Sequence, residues 1–369
     1  MRSVWEKIWL RLLIVVLILG LTVVGLVVRY IKYHFEDDDS YTITVTKTHV
    51  DGGTGRKMIM VYDKEGKLLM YQSDSRLQGL TYDEQGNVLS RKLYYLNGEL
   101  VEEVDYTYND QGQLILAKGA DYAETYDHFE IHYSYDSDGN RIGVKNYSDG
   151  ELTRERTYDA QGNLVEETTY NGDTYYLHTV YTYSDDGRIL SSRTKRVDGY
   201  RSGTDYTYDG KNRLLIEANF RTDNGKTTRW SAQHTYDVNG NRIRTDYVDS
   251  KGGRSSCAYT YDAMGNMLSY METADGKTTG RLWTYDAQGR MLTYEFVGKS
   301  EDFSSHHSWT YDEDGNVVTY DAGRGYAYTF TYQWPDWEMP QEVADEVAHA
   351  IAVFTEWYSL RSERYADFG

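Results

Sequence analysis

Several stretches of the 369-residue chain bring together residue types that could do chemistry. His128-x-Glu130-x-His132 places three metal-ligating side chains on one face of a strand. Residues four apart on a strand are separated by about 13 Å, whereas Zn–N bonds are about 2 Å, so the two histidines cannot share an ion on straight backbone. His306 and His307 point to opposite faces when extended. Asp136-Ser-Asp138-Gly139-Asn140 and Asp312-Glu-Asp314-Gly315-Asn316 echo the start of a calcium loop, but both run into apolar strand (Ile142; Val317, Val318) where a bidentate Glu is needed. Turn formation accounts for these residues without an ion. The many carboxylates could supply a glycosidase pair, yet none recurs in a unique apolar setting. No Ser-His-Asp order, phosphate-cradling glycine loop or Cys-His pairing can be singled out. The residues therefore predict a non-enzymatic protein with no metal and no cofactor.

Aromatics are the remaining candidates for function. Tyr106/Tyr108, Tyr133/Tyr135, Tyr181/Tyr183, Tyr206/Tyr208, Tyr259/Tyr261, Trp283/Tyr285 and Trp309/Tyr311 each set two rings on one strand face. Such ladders suit sugars, whose C–H faces stack on rings while their hydroxyls hydrogen-bond nearby acids and amides. The competing reading is packing between neighbouring strands. Trp283, Tyr285, Trp309 and Tyr311 are the candidate ligand-binding platform, being at the carboxy-terminal end and carrying the larger rings.

The element that must position these rings is a repeated hairpin. A tyrosine recurs at 62, 82, 108, 135, 158, 183, 208, 236, 261, 285 and 311, at steps of 20 to 28 residues, a repeat period. The next residue is Asp except at Asn109 and Ser184, and the residue four on is Gly except at Asn212. An Asp-led loop closed by a residue tolerant of positive φ predicts a type I turn followed by a G1 bulge. Thr precedes the tyrosine in nine copies, and an aliphatic lies seven residues after it in all eleven. The register expected from this turn sets the Thr opposite that aliphatic and the Tyr opposite the residue before it. Between repeats, Asn97-Gly98, Asp149-Gly150, Asn171-Gly172, Asp198-Gly199, Asn224-Gly225, Lys251-Gly-Gly253 and Asp275-Gly276 predict a second set of hairpin turns. About two dozen strands result, too many for an open twisted sheet without curling. The expected fold class is an all-β array of consecutive antiparallel hairpins, elongated or spiralling, beginning with Tyr41–Thr48 as an edge strand.

The ends differ in character. Leu12–Val28 is apolar without a charge, long enough to span a bilayer at about 1.5 Å rise per residue. Trp5, Trp9, Tyr30 and Tyr33 bracket it, and no small-x-small cleavage pattern follows. Residues 1–35 are accordingly read as a cytoplasmic stub and single-pass membrane anchor, 36–40 as an acidic linker, and 41–332 as the repeat domain outside the cytoplasm. In 333–369 a proline-bearing linker leads to an amphipathic helix with Val343, Val347, Ile351, Phe354 and Tyr358 on one face, expected to cap the last sheet edge. A net charge of −19 argues against nucleic acid or anionic lipid as partner, and the single Cys257 excludes an internal disulfide framework.

The Tyr-Asp-x-x-Gly-Asn-x-Leu unit resembles the YD repeat, or RHS repeat, of bacterial surface and toxin-delivery proteins and of teneurin ectodomains, over about residues 62–320. In large relatives the resemblance implies a hollow β-shell around a carboxy-terminal toxin, with carbohydrate binding a common attribution. The Asp-Pro-x-Gly signature of the shell core is lacking, since the only prolines are Pro335 and Pro340, and the tail is too short for a toxin domain. A short, membrane-tethered binding module for glycan or a cell-surface partner is the expectation. The alternatives are a structural spacer or immunity-type partner acting through a sheet edge or the terminal helix, and a cell-wall glycan hydrolase.

Overall fold

In this computed structural model the described residues are 40–354, apart from 50–54, 74, 124–126, 173, 299–305, 324–325 and 336–338. The span and the acidic linker before Ser40 lie outside them. Among the described residues no helix is long and apolar enough to cross a membrane.

Each repeat folds around its own turn. Asp159 donates its backbone N–H to the carbonyl of Asn163 at 3.0 Å, and its carbonyl accepts from Gly162 at 3.0 Å; the other ten repeats repeat this pair of bonds. The Asp159 carboxylate then takes the backbone N–H of Gln161 at 3.0 Å and of Asn163 at 2.8 Å. Gly162 sits at φ 83° and Asn212 at φ 66°, so the one non-glycine at this position adopts the same left-handed backbone. The predicted turn is formed.

The register departs from the expected one by a residue. Tyr82 faces Val88 as anticipated, but Thr81 faces Ser90, leaving Leu89 as the extra residue of a bulge. The same slip next to the tyrosine occurs in every repeat. The turn motif implies only the bulge made by the left-handed residue; a second follows it. A bulge bends its strand and adds right-handed twist, so eleven at corresponding positions curl the sheet in one sense.

The curl closes. The first strand, Ser40–His49, pairs antiparallel with Arg56–Asp63 on one side and with the last strand, Ala327–Gln333, on the other, from Thr44 opposite Gln333 to His49 opposite Tyr328. Every intervening strand pairs antiparallel with its sequence neighbours, giving a ring of 24. The fold is therefore a closed barrel, not an elongated or spiralling array, and Tyr41–Thr48 is no edge. An even number of up-and-down strands brings first and last together antiparallel, and pairing them removes the two rows of unpaired backbone groups an open sheet would expose.

The wall has an aromatic inside and a hydroxylated outside. Repeat tyrosines face inward, and all but Tyr62 and Tyr158 reach the preceding hairpin: ten hydroxyls, Tyr332 included, donate to the carbonyl of the residue at the earlier bulge, over 2.6 to 3.0 Å. That carbonyl lies beyond the last ladder pair; the strand Val88–Tyr95, for instance, pairs with the next only from Ser90 onward. The tyrosine thus satisfies an acceptor that the backbone ladder leaves over. Outside, five of the nine threonines meet a serine or threonine across the hairpin, as in Thr81–Ser90 (2.7 Å), Thr182–Ser191 (2.8 Å) and Thr310–Thr319 (2.7 Å), while Thr107, Thr157, Thr207 and Thr235 face Leu116, Glu166, Ile216 and Arg244.

The best-packed wall section joins the first two strands to the last seven. Ile43, Met58, Met60, Trp283, Tyr294, Trp309 and Tyr320 are buried there. The helix Gln341–Phe354 adds Val343, Val347 and Ile351 to the same cluster. It meets the inner side near the Asp turns, where Val343 approaches Gly66 and where Tyr311, Val317 and Val347 line one pocket. The anticipated helix forms over Gln341–Phe354, with Tyr358 outside the described residues, but it caps the inside of the barrel at one mouth and covers no sheet edge, the first and last strands being paired.

Removing one hydroxyl that bridges two repeats tests this account. Tyr236→Phe leaves the ring in place and strands the Leu214 carbonyl, which accepts the Tyr236 hydroxyl at 2.7 Å. The expected loss is about 1–2 kcal/mol in urea unfolding; an unchanged midpoint would show that solvent satisfies the carbonyl equally well.

Candidate functional site

The four residues of the expected aromatic platform do come together, but on the inside. Trp283 packs on Tyr294 with centroids 5.6 Å apart, and Trp309 stacks on Tyr320 at 5.2 Å. Both tryptophans are only 2% exposed, so neither ring offers a face to a sugar. Tyr285 and Tyr311 are half-buried and donate to the Met267 and Met291 carbonyls. The reason is the direction of curl: the repeat tyrosines and the residues two before them share the concave face, where strands converge and rings fill the space. Packing between strands, the competing reading, describes these two tryptophans. The Trp309 indole N–H has no acceptor among the described residues.

The other chemistry-bearing stretches are absorbed locally. His132 Nε2 lies 2.9 Å from Glu130, which also takes Lys118 at 2.8 Å, while His128 turns to Asp149, in the turn after the neighbouring strand, at 3.6 Å. The three do not converge on one point. His307 Nδ1 meets the Tyr320 hydroxyl at 2.8 Å. Asp136 gives one oxygen to the backbone N–H of Asp138 and Asn140 and the other to the Asn140 amide, which leaves it a turn residue.

One inner cluster was not singled out from the sequence. His234, 2% exposed, places Nδ1 3.0 Å from the Thr245 hydroxyl and Nε2 3.1 Å from Glu217. Acid, imidazole and hydroxyl in a row suggest nucleophile activation, but Thr245 is 0% exposed and no substrate atom could reach it. In the neighbouring row position is Cys257, hydrogen-bonded to the Tyr270 hydroxyl at 3.2 Å. Burial pushes the Cys257 thiol up from its ordinary value, away from the reactive thiolate. These groups read as satisfied interior polar residues. The available signal was positional: His234 stands two before Tyr236, where most repeats carry an aromatic.

What the outside offers is a basic groove of about 630 Å³ lined by His178, Arg193, Lys195, Arg201, Phe220 and Arg229. It crosses five strands, Thr174–Tyr183, Ile189–Arg196, Arg201–Tyr208, Leu214–Asp223 and Lys226–Tyr236. One row of partners runs Val180, Arg193, Gly203, Phe220, Arg229, and the next runs His178, Lys195, Arg201, Thr222, Thr227. These cations are scattered over some fifty positions of sequence, and only the strand register gathers them.

Comparison with known proteins adds the following. A family model described only as "Uncharacterised protein" matches residues 71–203. No curated protein matches the chain. Among solved structures, the TcdB2-TccC3-Cdc42 crystal structure is similar at 14% identity and a TM-score of 0.45, covering 79% of this chain and 18% of that one. The Photorhabdus luminescens Tc holotoxin pore with a TccC3 mutation matches at 15% identity and a TM-score of 0.25, over 74% of this chain and 17% of that one. A porin-like protein from Bacteroides uniformis matches at 10% identity and a TM-score of 0.22, over 80% of this chain and 97% of that one. The chain spans less than a fifth of the two toxin chains.

The turn carboxylates carry a pH dependence. The side-chain amide four residues on holds Asp83, Asp136, Asp159 and Asp262 below the usual carboxylate range, outweighing the opposing desolvation. A folded-state value below the unfolded one, about 3.9, gives stabilisation that is complete above that value and is lost as pH falls through the folded value. Asn109 already fills this position with an uncharged acceptor for two backbone N–H groups. Replacing the four acids together by Asn should therefore flatten the fall of the thermal midpoint between about pH 5 and 2. Parallel curves for variant and parent would remove these carboxylates from the acid transition.

Proposed function

We propose that the chain is a membrane-anchored, non-enzymatic surface protein of the YD-repeat type, whose closed β-ring is a binding module for carbohydrate or a neighbouring cell's surface. The observation that carries this reading is the outer wall. Around it, hydroxyl pairs such as Thr182–Ser191, Thr260–Ser269 and Thr284–Thr293 recur in five of the eleven repeat hairpins. The bulged aliphatics Leu89, Ile142, Leu190, Ile243 and Val318 stand exposed, Leu89, Leu190 and Val318 beside such a pair. Hydroxyls next to small apolar faces match the two faces of a sugar ring. Their repetition suits a repeating polymer, since several weak contacts on a rigid body add by effective concentration.

The residues that would do chemistry are spent on the fold. The turn acids are tied to their own backbone, and the inner histidine and thiol are buried. The repeat motif supports the family reading, and the apolar stretch Leu12–Val28 supports an anchor that holds the ring outside the cytoplasm.

The test uses the full chain in detergent micelles on a glycan array, followed by incubation with each bound polysaccharide. Saturable binding with no release of reducing ends is expected. Time-dependent chain cleavage would overturn the non-enzymatic reading, and an empty array alongside a protein captured by cross-linking would move the assignment to a protein partner.

A further inference from the structure

We infer that the outer groove across the strands from Thr174–Tyr183 to Lys226–Tyr236 is a binding site for an acidic oligosaccharide, a glycan segment carrying carboxylates on successive sugars. This rests on the carbohydrate reading of the outer wall and assigns it a place and a ligand charge. The chain has a net charge of −19, yet Arg193, Lys195, Arg201 and Arg229 are all exposed within this one groove. Lys195 and Arg201 are direct partners across neighbouring strands. Two like charges so placed destabilise a sheet, and among the described residues Lys195, Arg201 and Arg229 have no carboxylate in ion-pair reach. Lys195 lies 5.9 Å from the Tyr175 ring centroid, but no ion pair offsets the repulsion between these cations, and an anion laid over them would be held from three sides.

The floor fits a ring as well as a charge. Gly203 faces outward between Arg193 and Phe220, and a Cβ there would meet the Ser192 carbonyl at 2.6 Å, Phe220 Cε1 at 2.7 Å and Arg193 Cδ at 2.8 Å. Its missing side chain is what lets the phenyl ring and the arginine stem lie down over the strand. Arg193 is fixed there by an ion pair with Asp205 and sits 5.5 Å from the Phe220 ring centroid. His178 on the rim is paired with Glu166. Across the row from Val180 to Arg229 there are four interstrand spacings, about 19 Å, the reach of a short oligomer. Guanidinium forks grip carboxylates in a plane, and Phe220 can carry the C–H face of one sugar. A single-stranded nucleic acid would need a succession of stacking rings, and among the described residues the rings lining the groove are Phe220 and the His178 imidazole, the latter paired with Glu166.

The probe is hexagalacturonate, titrated calorimetrically into the full chain in micelles, with cellohexaose and a six-nucleotide oligothymidylate as comparisons. Binding of hexagalacturonate that weakens with salt is expected, with cellohexaose weaker. Arg201→Gln with Arg229→Gln should lower the affinity ~tenfold or more, while keeping the parent's thermal midpoint within a few degrees. Gly203→Leu should also lower it by filling the floor, and Lys118→Gln, on a distant hairpin, should leave it unchanged. Equal binding by the double variant, or tighter binding of the oligothymidylate, overturns the assignment. Absence of hexagalacturonate binding while neutral glycans score on the array overturns the groove alone; absence of both overturns the carbohydrate reading with it.

Discussion

A carboxylate consumed by its own turn is the interaction on which the rest of the barrel depends. In each hairpin the side chain after the repeat tyrosine gathers backbone N–H groups that a three-residue loop would otherwise leave to solvent, and the left-handed residue three positions on completes the reversal. The turn fixes which residue pairs with the tyrosine, and that pairing fixes which face of the strand looks inward. A one-residue error here would send the tyrosine outside and the threonine inside. The variation at these positions is chemically narrow for that reason: Asn109 and Ser184 still present an oxygen, and Asn212 still accepts positive φ.

From this follows the second level of order, between hairpins. The bulge beside each turn leaves one carbonyl past the end of the next ladder, and at ten of the eleven bulges the next tyrosine hydroxyl reaches it. One side chain therefore does two things, filling the concave face with its ring and tying its hairpin to the one before. The same bulges curl the sheet until its ends meet. Closure also decides the fate of the helix: Val343, Val347 and Ile351 have no edge to cover and pack against the inner wall at the turn end.

The hairpins were legible in the sequence because their determinants are local: Asp, Gly and the tyrosine lie within five residues. Closure was not, because it depends on curvature summed over the whole ring and on Thr44–His49 meeting residues almost three hundred positions away. The twelfth unit was overlooked for a related reason. Tyr332 makes the same bond to a preceding carbonyl as the others, but Gln333 follows it in place of Asp, so a search led by the turn passes over it. The Thr331-Tyr332 pair at the repeat spacing was the signal. The fate of Trp283 and Trp309 could not be settled from alternation, which says that two residues share a face without saying which face is concave. The groove was hidden because Arg193, Arg201 and Arg229 stand on three different strands and become neighbours only through register.

The division between the two faces bears on where function can sit. On the concave side, polar groups such as His234 and Thr245 are buried and matched, as a crowded interior requires. A change there alters packing first. The convex side carries no such constraint: a residue in a solvated strand position can vary freely as long as it neither breaks the ladder nor sets like charges face to face. Lys195 opposite Arg201 does the second, and Gly203 weakens its strand by giving up a side chain beside them. Two local rules are broken within a few ångströms, whereas the outer-wall ion pairs Lys118–Glu130 and Lys145–Glu155 set opposite charges together. In a fold this repetitive, with the next hairpin available as a template for the ordinary solution, departures that cost stability at one place point to selection for something other than stability, and the charge left exposed there gives its sign.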